Sequence, residues 1–325
     1  MKSMNRPPRA GAVFAALCAG GALAFAPAPP ERMGDKIAFT SISEDGKKAE
    51  VVVMKLDGSE RTTLTKEGVL EIDPALSSDG KHIAFVVVGK DDMKGDLWVM
   101  GADGAGRKQL TENQAKTIVL SPAWSPDGKR IAFTRMTAQG GPPTDAELVV
   151  VDADGKNEKS VGKGMMAAWS PDGKRILFAA LEPGKGFEPR LTVMDADGNN
   201  PTQLFKTPSM MGTFSPDGRR IAYIGAPNTT DKQPHIYVAN ADGSQAAQVT
   251  PQSDAFEVGP LWSVDGKRIV FSRAPDAKNG PPKKTSLVIM DADGKNEKEL
   301  TKGDVLDLTG GAALFLLDWA DLRSP

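Results

Sequence analysis

The sequence predicts an all-β fold, a six-bladed β-propeller with four antiparallel strands per blade. Three observations carry this reading. First, S-P-D-G-K-R-I-A-F at Ser125–Phe133 returns at Ser170–Phe178, Ser215–Tyr223 and Ser263–Phe271, with a weaker copy at Ser77–Phe85 and a remnant at Gly34–Phe39. Second, the matching isoleucines Ile37, Ile83, Ile131, Ile176, Ile221 and Ile269 are spaced 46, 48, 45, 45 and 48 residues apart. Third, each unit carries a second motif, as in L-V-V-V-D-A-D-G-K-N at Leu148–Asn157, followed by a short stretch ending in Leu-Thr or similar. A fixed period in the forties with several short strands per unit is the signature of stacked blades.

Within a unit the elements follow from residue type. Strand A ends at the aromatic of P-A-W-S. Strand B is K-R-I-A-F, strand C is L-V-V-V, and strand D is the K-Q-L-T type. Strand C is apolar without alternation, as a strand covered on both faces should be. Strand B mixes sizes, with Ile131 and Phe133 on one face and Ala132 on the other, as interdigitating blades require. S-P-D-G and D-A-D-G are turn sequences, with Gly128 free to take a left-handed conformation.

The termini complete the picture. The first unit starts at strand B. The segment Leu314–Trp319 places Trp319 in the slot held by Leu76, Trp124, Trp169, Phe214 and Trp262. Residues 313–320 are therefore expected to supply the innermost strand of the first blade and close the ring. Residues 1–24 read as a secretory signal peptide, with Lys2, Arg6 and Arg9 before an apolar stretch and Ala22-Leu23-Ala24 as the cleavage site. An uncleaved anchor is the alternative. Lipidation at Cys18 is disfavoured by Leu17 before it. Residues 25–34 form a Pro-rich linker, and 35–325 the propeller.

Composition excludes several classes. Cys18 is the only cysteine, so the exported chain has no disulfide framework and must rely on a large core. Removing the three signal cations moves the net charge from −2 to −5, and no basic block remains. Nucleic acid is not an expected partner. The Lys and Arg of the repeats are expected at solvated positions.

These repeats resemble the TolB-type propeller family, whose units read roughly P-x-W-S-P-D-G-K-x-I-A-F, then V-M-D-A-D-G, then L-T. The resemblance covers about residues 34–325. It implies a ring exported to the bacterial periplasm or cell surface, with a face that holds a protein partner. TolB itself carries a further domain before its propeller, and only a short linker precedes the repeats here.

Candidate chemistry is sparse. His82 and His235 fall in slots expected to be solvated. No nucleophile–base pair is visible, and no cofactor or metal is implied. D-A-D-G lacks the ligand spacing of a calcium loop, and S-P-D-G lacks the spacing of a sialidase Asp-box. The candidate binding residues lie on the side where the B–C and D–A connections meet. Met165-Met166 and Met210-Met211 share a slot in adjacent units, either as an adaptable patch for a partner or as packing between blades. Glu71 and Glu257 share the slot five residues before the aromatic and, with Asp73, form either an acidic rim at the channel mouth or solvated loop carboxylates. The long B–C connections, some carrying Gly-Pro-Pro, suggest a binding face.

Three functions follow. The leading one is an exported, non-catalytic, monomeric propeller that docks an envelope protein or peptide. The second is a hydrolase or lyase acting on polysaccharide through paired carboxylates. The third is a relative of the propellers that gate prolyl-oligopeptidase-type peptidases, which need a downstream hydrolase domain.

Overall fold

The computed structural model describes residues 36–42, 48–55, 58–65, 70–89, 94–137, 145–181, 188–225, 235–251, 255–274 and 286–300. The expected signal segment, linker and closing strand lie outside these residues. The described chain forms strands and no helix. Unit 1 holds β1 (Lys36–Ile42), β2 (Ala49–Lys55) and β3 (Thr62–Thr63). Unit 2 holds β4 (Leu70–Leu76), β5 (His82–Val88), β6 (Gly95–Gly101) and β7 (Lys108–Gln109). Unit 3 holds β8 (Thr117–Trp124), β9 (Arg130–Thr137) and β10 (Glu147–Asp152). The long β11 (Lys159–Trp169) is the outer strand of unit 3 and then the inner strand of unit 4, two elements that the sequence separates. Unit 4 continues with β12 (Arg175–Ala180), β13 (Arg190–Asp195) and β14 (Thr202–Gln203). Unit 5 holds β15 (Ser209–Phe214), β16 (Arg220–Gly225), β17 (His235–Asn240) and β18 (Ala247–Gln248). Unit 6 holds β19 (Phe256–Trp262), β20 (Arg268–Ala274), β21 (Ser286–Asp291) and β22 (Lys298–Glu299). Successive strands within each unit pair antiparallel, which makes the fold propeller-like.

The repeated letters earn their place in the turns. Ser125 Oγ donates to Asp127 Oδ1 at 2.6 Å and accepts the Arg130 amide at 2.9 Å. Gly128, at φ +68°, closes the turn with its amide on the Ser125 carbonyl. The same serine–aspartate bond recurs at Ser77, Ser170, Ser215 and Ser263. S-P-D-G is thus a self-contained hairpin turn. The Leu-Thr ending has a reason too. The hydroxyls of Thr65, Thr111 and Thr250 accept amides of Val51, Leu97 and Ile236, tying the end of strand D to the start of strand C.

Packing between units uses the size alternation of strand B. Ile131 and Phe133 lie in one core cluster with Ala84, Val86 and Leu97 of unit 2. Ala132, between them, lies in another with Trp169, Ile176 and Phe178 of unit 4. Large residues face the preceding unit and the small one faces the next. Unit 6 and unit 1 also share a cluster, with Val270, Leu287 and Ile289 against Ile37, Phe39, Val52 and Met54.

The repeat arginines are not simply solvated. Arg130 stacks over Trp169 at 4.6 Å, Arg175 over Phe214 at 5.4 Å and Arg220 over Trp262 at 4.6 Å, each reaching the next unit. His82, in the same slot, lies 6.2 Å from Trp124. Indole nitrogens run the other way. Trp124, Trp169 and Trp262 donate to the carbonyls of Ala75, Ala123 and Thr213 in the unit before. The seams between units 3 and 4 and between units 5 and 6 are therefore stitched by both a cation–π contact and a buried hydrogen bond, each worth about 1 kcal/mol. The seam between units 2 and 3 has the hydrogen bond, and that between units 4 and 5 the cation–π contact.

Candidate functional site

The two ends of each unit differ. A–B hairpins have five residues between strands in every unit that contains both, and C–D connections have six in all units. B–C connections run from six residues, between β1 and β2, to eleven, between β20 and β21. Antiparallel order places B–C and D–A connections at the same end of a unit, so all the length variation gathers there.

The innermost strands share one irregularity near that end. β4, β8, β11, β15 and β19 each shift register at the same place, with bulges between Ile72/Ala75, Leu120/Ala123, Met165/Ala168, Met210/Thr213 and Val258/Leu261. The residue three before the terminal aromatic or leucine is left-handed in all five: Asp73 (φ +53°), Ser121 (+50°), Met166 (+58°), Met211 (+51°) and Gly259 (+62°). A repeated bulge of this kind redirects backbone groups. Asp73 and Met166 donate their amides to Thr40 Oγ1 and Thr134 Oγ1 of the preceding unit, and the Ser121 amide binds Asp73 Oδ2 at 2.8 Å.

This locates the candidate binding residues that the sequence singled out, while the Gly-Pro-Pro stretches of the long connections lie outside the described residues. Met165, Met166 and Met210 are buried and Met211 is half-buried, all packed with Ile72, Leu120 and Val258 in one cluster. They form interior packing in this fold and do not project as a surface patch. Glu71, Asp73 and Glu257 lie on strands β4 and β19, not on loops, and all three are 0% exposed. The expectation of solvated loop carboxylates is corrected by this burial. Glu71 is ion-paired with Arg107, which also stacks on Phe85 and Trp98. Glu257 accepts from Arg273 Nε at 3.0 Å and Nη2 at 2.8 Å, and Arg273 also grips Glu297. Buried carboxylates persist because these guanidiniums compensate the lost hydration.

His235 also departs from expectation. It opens β17 and is 1% exposed, with Nδ1 3.6 Å from Glu257 Oε2 across the seam between units 5 and 6. Among the described residues neither atom has a hydrogen-bond partner, and the same holds for Glu71 Oε2. His82, by contrast, is exposed, as its slot predicts. Sequence reasoning missed Arg107, Arg273 and His235. The available signal was Arg273 sharing its slot with Arg135, which also stacks on its strand-B phenylalanine and pairs with Glu158. Among the described residues no group of three or more His, Cys, Asp or Glu is disposed to hold a metal, and no helix is long and apolar enough to cross a membrane.

Repeated antiparallel units, four-stranded from the second onward, with a constant end and a variable end define a propeller-type repeat protein. The chain belongs to the TolB beta propeller domain family, whose model matches residues 16–144, 138–275 and 186–310. Among solved structures it is similar to TolB from Acinetobacter baumannii, at 20% identity and a TM-score of 0.64, covering 81% of this chain. It spans 63% of that TolB chain. It is similar to an oligogalacturonate lyase from Vibrio parahaemolyticus at 15% identity and a TM-score of 0.57, over 87% of this chain and 78% of that one. It is also similar to Kuenenia stuttgartiensis hydrazine synthase at 15% identity and a TM-score of 0.64, over 93% of this chain and 49% of that one. At these identities the likeness is one of fold. No curated protein matches the chain.

Proposed function

We propose that the chain is an exported, non-catalytic binding propeller. In this reading its six units form a ring, closed by residues 313–320, and the monomer docks an envelope protein or peptide at the end where the B–C and D–A connections gather. One observation carries the reading. Connection length varies only at that end, while the opposite end is constant, as expected where loops carry function on a fixed scaffold. The sharing of one core by units 6 and 1 supports the ring. Gly58 of unit 1 also approaches the Leu300 carbonyl of unit 6, as Gly104 approaches that of Leu64 one seam on. Glu71, Asp73, Glu257, Met165, Met166, Met210 and Met211 form the floor beneath the docking face, and the connections supply the contacts. Export rests on residues 1–24, and the mass of the mature N-terminus tests it.

The docking test is affinity capture from envelope extract with the mature chain and with a variant whose residues 138–144 and 275–285 are replaced by short Gly-Ser linkers. The expected result is a partner lost from the variant at unchanged melting temperature. A partner retained by the variant moves the site elsewhere, and no capture by either chain counts against docking.

A polysaccharide-directed enzyme is the competing reading. The observation that favours it is the pair of unpartnered atoms on His235 and Glu257. Against it, the other oxygen of Glu257 is committed to Arg273. Product release from polygalacturonate or peptidoglycan fragments, abolished by Glu257→Gln, would decide for the enzyme.

A further inference from the structure

We infer that His235 and Glu257 form a proton-operated clasp across the seam between units 5 and 6. The clasp is closed when the imidazole carries a proton on each ring nitrogen and slack when Nδ1 is bare. It works on the seam itself, whatever docks above it.

The starting point is a shortage of donors around one buried carboxylate. Glu257 Oε1 accepts two bonds from Arg273. The same guanidinium also serves Glu297, which lies at the surface. Two carboxylates therefore share one cation, and Oε2 of the buried one has no donor among the described residues. His235 Nδ1 reaches within 3.6 Å of that oxygen from the other side of the seam, and it too lacks a partner. With a lone pair on Nδ1, two acceptors face each other out of water, which is costly for both. With a proton on each nitrogen, the imidazolium supplies the second cation. The two atoms then need only close to about 2.7–2.9 Å to make a charge-assisted bond.

The other elements packed against β17 bring no further charge to its first residue, among the described residues. β16 places Gly225 opposite His235, and its Arg220 lies at the far end, opposite Asn240. Tyr223 of β16 stands opposite Tyr237, whose hydroxyl donates to Gln248 Oε1. β18 holds only Ala247 and Gln248. β19 carries Glu257 as its one charged residue, and β20 contributes Arg273 through it. The seam between units 1 and 2 gives the contrast. Glu71 fills the slot of Glu257 there and is paired with Arg107. The position of His235, opposite the residue four after the strand-B isoleucine, is held by Glu50. That seam has a buried acid but no imidazole to take up a proton beside it.

The chain has two histidines, and His82 is exposed, so the mature chain with His82→Gln carries His235 as its one imidazole. Nitrogen NMR of the labelled ring follows its protons from about pH 8 to about pH 5, the range in which histidine changes charge. Urea midpoints are measured over the same range with and without His235→Gln. A proton that the folded chain binds more tightly than the unfolded one adds stability as pH falls and loses it as pH rises. The expected result is a second ring proton gained by the folded chain. The midpoint loss caused by His235→Gln should then be at least about twofold larger near pH 6 than near pH 8. One ring proton throughout, on either nitrogen, overturns the clasp. So does a second proton gained with an equal or reversed difference between the two pH values. Should His235→Gln not fold, Glu257→Gln takes its place. Proton uptake by His235 should then move to lower pH, because the facing carboxylate is gone, and an unchanged titration curve overturns the pairing.

Discussion

The guanidinium of Arg130 lies 4.6 Å from the ring centroid of Trp169, which in turn donates its indole N–H to the Ala123 carbonyl at 3.1 Å. Arg130 and Ala123 belong to unit 3 and Trp169 to unit 4, so one indole is held to the neighbouring unit by its face and by its edge. Arg130→Ala is expected to destabilise by about 1 kcal/mol, within the 0.5–2 range of such contacts. Arg130→Lys should recover part of this. Urea midpoints of the two variants check it, and equal losses for both would mean that neither a charge nor an aliphatic stem suffices and that the planar guanidinium is what the indole face needs.

Arg107 is the compensating charge for buried Glu71. Removing it leaves a carboxylate that is 0% exposed without its cation. Arg107→Ala should therefore cost about 3–5 kcal/mol. Replacing both residues, as Glu71→Leu with Arg107→Leu, should recover most of that loss. Chemical unfolding of the single and double variants gives the coupling directly, and additive losses would refute the pairing.

Glycines at the two turns should differ in tolerance. Gly198 has φ +97°, and a Cβ there would sit 2.6 Å from the Val161 carbonyl oxygen in the preceding unit. Gly128 has φ +68° with nothing within 4 Å of the added atom. Gly128→Ala should cost only the left-handed backbone penalty, about 1–2 kcal/mol. Gly198→Ala should cost more, because backbone oxygen cannot yield as a side chain can. Comparable melting temperatures for the two variants would disprove this ordering.

The S-P-D-G turns make stability depend on acid. The serine hydroxyl bond, the largest cause, holds the carboxyls of Asp79, Asp172, Asp217 and Asp265 below their ordinary 3.8. A depressed folded value means that each contributes stability fully present above about pH 4, lost as pH falls through the folded value. These turns are mostly exposed, so each contribution is small. Asp172→Asn with Asp217→Asn should flatten the decline between pH 4 and lower values, read from urea midpoints. An unaltered acid limb would show that other carboxylates set it.

Much of this was legible in the chain. S-P-D-G, D-A-D-G and Leu-Thr are local devices, whose partners lie within a few residues or across one hairpin, so their repetition announces them. The mixed sizes of Ile131, Ala132 and Phe133 likewise foretold packing on both faces of a sheet. The fate of Glu71 and Glu257 was not legible. Both occupy one slot, but Arg107 reaches the first from the outer-strand side and Arg273 reaches the second from the adjacent strand. No fixed spacing connects acid to base, so no motif could reveal the pair.

The sequence by itself determined the repeat, the strand order within each unit and the turns, because these depend on φ preferences and side-chain alternation over a few residues. Tertiary structure alone decided what is inside. Burial of Glu257 and His235, and the left-handed bulge that Met166 and Met211 share with Asp73, depend on neighbours one unit away. The same chemical group is a solvated rim or a buried ion pair according to what the next unit places beside it, and the energy of that placement is set by desolvation and not by the residue's own propensity.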